Sequence, residues 1–193
     1  MLYSLLLAGG KSSRMGEDKA ALVLEGQTLL DRSLALLEKT DADRVLLSGD
    51  IPGYDCLPDL IPECGPPGGL HAALHFIDRE FDLDDSLVLI MPVDMPLLDV
   101  STLSQLVIAI GEADSCHYRD EIFPCVFRVT QKIKSYLDAL YEESTERGGV
   151  RSMKALLNQF YGKILEKEDI SEDRFLNINQ PDDWMEIKNR INQ

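Results

Sequence analysis

The sequence predicts an α/β protein with three α/β/α layers and a mostly parallel sheet. Two observations carry this. Short apolar runs alternate with longer segments of helical periodicity in the order β-α-β-α-β-α. The apolar runs are also nearly unbroken, as strands are when helices cover both faces of a parallel sheet.

Taken in order, Tyr3–Leu7 reads as a buried strand and Thr28–Lys39 as a helix, with Leu29, Leu30, Leu34 and Leu37 on one face. A strand at Arg44–Leu47, a helix at Gly69–Arg79, a strand at Ser86–Met91 and a helix at Ser101–Glu112 follow. Beyond these the pattern is less regular. Ser115–Val129 holds one or two strands, Ile133–Tyr141 is helical, and the polar, glycine-containing Glu142–Val150 reads as a loop. Ser152–Phe160 forms another helix, Lys163–Leu165 a strand, and Asp182–Asn192 a last helix. There are no repeats, and one domain over residues 1–193 is expected.

Apolar content of 45% and charged content of 27% suit a folded, water-soluble protein. The net charge of −15 argues against nucleic acid or an anionic membrane as a partner, because both require a basic surface. Met1–Leu7 is apolar but lacks a basic preceding region and is too short for a membrane span, so a cytoplasmic location is expected. Cys56, Cys64, Cys116 and Cys125 form no CxxC pair and are expected to be reduced thiols. His71 and His75 lie one turn apart, but no third ligand is close in sequence, so they read as surface or core residues. Trp184 and Met185 read as packing, and Asp82–Asp85 and Glu142–Glu143 as solvated acidic runs.

The informative stretch is Leu6-Leu7-Ala8-Gly9-Gly10-Lys11-Ser12-Ser13-Arg14-Met15-Gly16-Glu17-Asp18-Lys19, directly after the first strand. Open parallel sheets bind ligands at the carboxyl ends of their strands. Glycines there let the backbone approach closely, and Lys11, Arg14 and Lys19 concentrate positive charge in an acidic chain. Two familiar phosphate loops fail on spacing. A P-loop ending at Gly10-Lys11-Ser12 would need its first glycine at Leu5, and Gly9, Gly10 and Gly16 do not spell GxGxxG.

The pattern Leu7-Ala8-Gly9-Gly10-x-Ser12-x-Arg14-Met15-Gly16-x-Asp18-Lys19 resembles the signature of nucleotidyltransferases with a Rossmann-like, GT-A-like fold. Its Leu-Ala-Gly-Gly form is most similar to the molybdenum cofactor guanylyltransferases. Further segments resemble that family in the same order. Gly65-Pro66-Pro67-Gly68-Gly69-Leu70 is similar to its Gly-Pro-Leu-x-Gly segment, with Pro67 in place of leucine. Met91-Pro92-Val93-Asp94-Met95-Pro96 resembles its Asp-x-Pro motif. Asn177-Ile178-Asn179-Gln180-Pro181-Asp182-Asp183 resembles its late Asn-x-Asn-Thr-Pro-Glu-Asp segment, with Gln180 in place of threonine. Read alone, the first of these segments equally suits a plain helix start, and the last a plain cap.

The resemblance implies transfer of GMP from GTP to the phosphate of molybdopterin, with Mg2+ as cofactor. It assigns Arg14, Lys19 and Asp94 to catalysis, and Leu7, Ala8, Gly9, Gly10, Lys19, Ser48, Asp59 and Asp94 to GTP. Asp94, with Asn179 or Asn177, would complete the metal or phosphate site. Ser48 stands where several relatives have asparagine. Glu121-Ile122-Phe123-Pro124 would face the acceptor, represented by Pro124, and Arg151 would contact the pterin phosphate. Partners implied are GTP, molybdopterin and other molybdenum cofactor biosynthesis or molybdoenzyme maturation proteins. The same residues also fit a relative using CTP or another phosphorylated acceptor, or a non-catalytic nucleotide-binding homologue.

Overall fold

The computed structural model describes residues 1–9, 18–61, 64–80, 86–143 and 152–191. Strand β1 (Leu2–Leu7) leads through a 3-10 turn (Lys19–Ala21) and a small hairpin, β2 (Val23–Leu24) and β3 (Gln27–Thr28), into α1 (Leu29–Leu37). Then come β4 (Arg44–Ser48), α2 (Gly65–Glu80), β5 (Leu87–Pro92) and α3 (Val100–Ala109). The remainder is β6 (Ser115–Tyr118), β7 (Cys125–Arg128), α4 (Gln131–Glu143), α5 (Met153–Gln159), β8 (Gly162–Leu165), a 3-10 turn (Glu172–Phe175) and α6 (Pro181–Ile191).

The main sheet has the order β4-β1-β5-β7-β6-β8. Only β7 runs against its neighbours; β1 pairs in parallel with β4 and β5, and β6 with β8. Successive side chains of each strand fall on opposite faces. Tyr3, Leu5, Leu7, Val88, Ile90 and Phe127 therefore join one core with Leu70, Leu74 and Ile77 of α2, Ile133 and Leu137 of α4, and Leu156 of α5. Leu6, Leu47, Leu89, Met91 and Val126 join the other core with Leu30 and Leu37 of α1, Leu103 and Leu106 of α3, and Ile187 of α6. Burying one such side chain stabilises the fold by about 1.5–3 kcal/mol relative to leaving it exposed. This double burial is why β1 and β5 read as nearly unbroken apolar runs, Ser4 being the buried exception.

The helices begin where a cap or proline permits. Thr28 Oγ1 accepts the Asp31 amide at 3.0 Å, and Asp99 Oδ1 accepts that of Thr102 at 2.8 Å, opening α1 and α3. Helix α2 begins at Gly65, four residues before the expected start. Pro66 and Pro67 fit its first turn because N–H groups there have no intrahelical partner to lose. The hairpin was not expected; its turn holds Glu25 at φ 50° and Gly26 at φ 81°. Ser115–Val129 resolves into two strands, β6 and β7. Glu142 and Glu143, expected to open a loop, instead end α4; the acidic run 82–85 and the rest of that expected loop, 144–150, lie outside the described residues. Trp184 packs partly against the second core, whereas Met185 is exposed.

All four cysteines are free thiols; Cys64, Cys116 and Cys125 are buried and Cys56 is half-buried. Burial, slightly offset by Lys163, pushes the Cys116 thiol up to about 11, and burial raises that of Cys125 as well. At pH 8 that leaves roughly one Cys116 in a thousand as the reactive thiolate. Alkylation of the native chain at pH 8, followed by peptide mass mapping, should label Cys56 while Cys116 and Cys125 stay unmodified until denaturant is added.

Candidate active site

The site is built on the carboxyl ends of β1 and β5. Where β1 ends, the Ala8 and Gly9 amides both donate to the Ser48 carbonyl, at 3.0 and 3.1 Å. On the other side the Val93 amide donates to the Leu7 carbonyl at 3.0 Å. Gly9 and Gly49 meet backbone to backbone: a Cβ on Gly49 would come within 3.0 Å of the Gly9 nitrogen. Gly49 also holds φ +148°, which side chains rarely adopt.

A cavity of about 460 Å³ opens beyond these strand ends. It is lined by Leu7, Ala8, Gly9, Asp18, Lys19, Pro66, Pro92, Val93, Asp94, Glu121, Ile122, Phe123, Asn177 and Asn179. The Lys19 ammonium donates to Asp94 Oδ2 at 2.7 Å and lies 3.4 Å from Asn179 Oδ1. These two charged side chains are about one-fifth exposed, 21% and 17%. Asp18 positions Lys19 by capping the 3-10 turn, its Oδ1 accepting the Ala20 amide at 3.0 Å.

The late segment is tied to the same point. The Ile178 amide donates to the Asp94 carbonyl at 2.9 Å. Asp183 Oδ2, in the first turn of α6, accepts the amides of Asn179 (2.7 Å) and Gln180 (2.8 Å). The carboxylate thus caps α6 from within and fixes the segment that carries Asn179. Asn177 lines the same cavity, its side-chain amide donating to the Phe175 carbonyl at 3.2 Å.

Not every other expected residue reaches the cavity. The Ala8 and Gly9 amides are engaged within the fold by Ser48. Ser48 itself is buried; its carbonyl serves β1, and its side chain packs under Gly69. Asp59 approaches the start of α2 near Gly68, outside the cavity lining, and desolvation raises its pKa although much of its surface faces solvent. From Glu121–Pro124 the first three residues line the cavity, while Pro124 is buried. Gly10, Arg14 and Arg151 lie outside the described residues.

Four lining residues have no ligand role assigned from the sequence: Asp18, Pro66, Pro92 and Val93. Asp18 could have been found as the capping residue before a helical turn. Glu121 is held by Lys167, whose ammonium is 3.1 Å from its Oε1 and 2.7 Å from Glu172 Oε2. No local sequence signal marks that contact, because its partners are 46 residues apart.

A family model described as "MobA-like NTP transferase domain" matches residues 4–160. The chain belongs to this family. Among relatives of this MobA-like chain, a molybdenum cofactor guanylyltransferase of Xanthomonas euvesicatoria is 31% identical, over 95% of this chain and 92% of its own length. A protein of the same name from Rhodobacter capsulatus is 28% identical, over 100% of this chain and 97% of its own. The fold is shared with the molybdopterin-guanine dinucleotide biosynthesis protein A of Archaeoglobus fulgidus: TM-score 0.76, 19% identity and 98% of each chain covered. Among the described residues of this MobA-like domain, no helix is long and apolar enough to cross a membrane.

The Gly9–Gly49 contact is expected to be intolerant of a side chain. Gly49→Ala adds backbone strain and a backbone clash, and should lower stability by about 1–3 kcal/mol. A shift in the urea midpoint at unchanged slope would report it.

Proposed function

We propose that this chain transfers GMP from GTP to the terminal phosphate of molybdopterin, or of its molybdate-loaded form, and releases pyrophosphate. The observation that carries this reading is the Lys19–Asp94–Asn179 cluster at the ends of β1 and β5, in a chain of the MobA-like family. An acceptor phosphate oxygen forms a bond to the α-phosphorus of GTP as the bond from that phosphorus to the pyrophosphate oxygen breaks. The acceptor is already anionic, so no general base is required. The protein's work is alignment and charge neutralisation. Bringing two unit charges of like sign to ~4 Å at an effective dielectric of ~20 costs on the order of 4 kcal/mol.

The described lining holds three carboxylates, Asp18, Asp94 and Glu121, against the single ammonium of Lys19. A triphosphate needs more positive charge than that. Asp94 and Asn179 offer hard oxygen donors side by side, which fits Mg2+. Bound there, Mg2+ would neutralise charge on the nucleotide phosphates. Lys19, paired with Asp94 here, would stabilise the leaving pyrophosphate, and Arg14 is assigned to the phosphates by its place in the motif. Glu121, Ile122 and Phe123 offer an acid and an apolar wall to the acceptor. The reaction is assigned to the cytoplasm, alongside proteins that supply molybdopterin or receive the dinucleotide.

Pyrophosphate release from GTP with purified molybdopterin and Mg2+ should be much faster than from CTP. A preference for CTP would overturn the choice of base, and no release with either would overturn the transferase reading. Lys19→Ala should lower kcat by about 10²–10³. Asp94→Ala should abolish Mg2+-dependent turnover while leaving the circular dichroism spectrum and the melting transition near those of the parent chain.

A further inference from the structure

The helices α2 and α4 bring together a second group of ligating side chains, away from the cavity. His71 and His75, four residues apart on α2, present both Nε2 atoms to one oxygen of Asp138 on α4. His71 Nε2 lies 2.8 Å, and His75 Nε2 2.6 Å, from Asp138 Oδ1, and the three ligand atoms lie within 4.8 Å of one another. Among the described residues this is the one place where three such donors converge. The other carboxylate oxygen is occupied, Lys134 Nζ lying 3.1 Å from Asp138 Oδ2 and 3.5 Å from Asp78 Oδ2. His71 is almost wholly buried and packs on the Tyr141 ring at 4.8 Å between centroids, whereas His75 is 37% exposed.

We propose that His71, His75 and Asp138 form a binding site for a transition-metal ion of the Zn2+ class, distinct from the nucleotide cavity. Two imidazole nitrogens and one carboxylate oxygen are a donor set that borderline ions such as Zn2+ prefer and that Mg2+ does not. Each imidazole binds as the neutral ring, giving its Nε2 lone pair to the metal and keeping its proton on Nδ1. The present contacts are hydrogen-bond lengths. Tetrahedral zinc, with bonds of about 2.0–2.1 Å, sets its ligand atoms roughly 3.3 Å apart, so the nitrogen–oxygen contacts of 2.8 and 2.6 Å lengthen by about half an ångström while separations of up to 4.8 Å within the cluster draw in. Lys134 and Asp78 are the charged groups facing the cluster. By holding Oδ2, Lys134 orients the carboxylate to offer one oxygen, as outer-sphere partners of ligating carboxylates do. The exposed edge of His75 is the entry path and leaves a coordination position for water. A metal here ties α2 to α4, so its effect is on stability.

The test uses the full untagged chain, stripped with a chelator. Dialysis against buffered free Zn2+ should leave one equivalent per chain by elemental analysis and raise the melting temperature. His75→Gln and Asp138→Asn should each weaken uptake by at least about tenfold, and Asp94→Ala should leave it unchanged. Co2+ titration of the parent chain supplies a readout that needs no variant. Ligand-field absorption without a thiolate charge-transfer band supports the assignment, and a thiolate band places the metal on cysteine and overturns it. Failure to retain zinc, or equal retention in both variants, also overturns it.

Discussion

The end of β1 is pinned from two sides, and the rest of the site depends on that. The Ser48 carbonyl takes the Ala8 and Gly9 amides while the Leu7 carbonyl takes the Val93 amide. Each such bond is worth only about 0.5–1.5 kcal/mol net. Their value is positional: they bring the ends of three parallel strands into one register, Leu7 opposite Ser48 and opposite Pro92. That register is what lets Lys19, arriving from beyond β1, meet Asp94, arriving from beyond β5. The glycine contact between residues 9 and 49 exists because no side chain fits where the two backbones close on each other.

Charge sets the second constraint. A mostly buried ion pair such as Lys19–Asp94 gains little net stability, because removing both charges from water offsets most of their attraction. Its better explanation is readiness. On the function proposed above, the ammonium is held ready for phosphates and the carboxylate for a cation. In a chain of net charge −15, with three acids lining the cavity, an anionic substrate can bind only if cations are delivered locally. In sequence, Lys11, Arg14 and Lys19 fall within nine residues, which concentrates cations where that need arises.

Much of this was legible in the residues. β1 and β5 are so uniformly apolar that only a strand covered on both faces fits them, and Asp94 stands two residues beyond β5. Periodicity, however, says nothing about strand direction, so the reversal of β7 was invisible. Pro66 and Pro67 looked like an approach to a helix and are its first turn, because the missing N–H groups cost nothing there. Pro124 stood for a segment whose other three residues line the cavity. Ser48 was judged by its side chain, but it contributes its carbonyl to β1, a contact that asparagine or serine can make equally. His71 and His75 looked unpartnered because Asp138 is more than sixty residues away; only the packing of α4 on α2 brings it near.

Helix α2 joins these observations. Its first turn gives Pro66 to the cavity wall, and a Cβ on Gly69 would fall 2.6 Å from Ser48 Oγ and 2.8 Å from Leu7 Cδ2. The helix is therefore seated directly on the residues that hold the end of β1. Within the next two turns His71 and His75 fasten it to α4. A helix moves as a rigid body over this length, and its glycine face leaves no gap in which to slide. The place of Pro66 in the cavity is thus fixed by two contacts, one beneath the helix at Ser48 and one along its flank at Asp138.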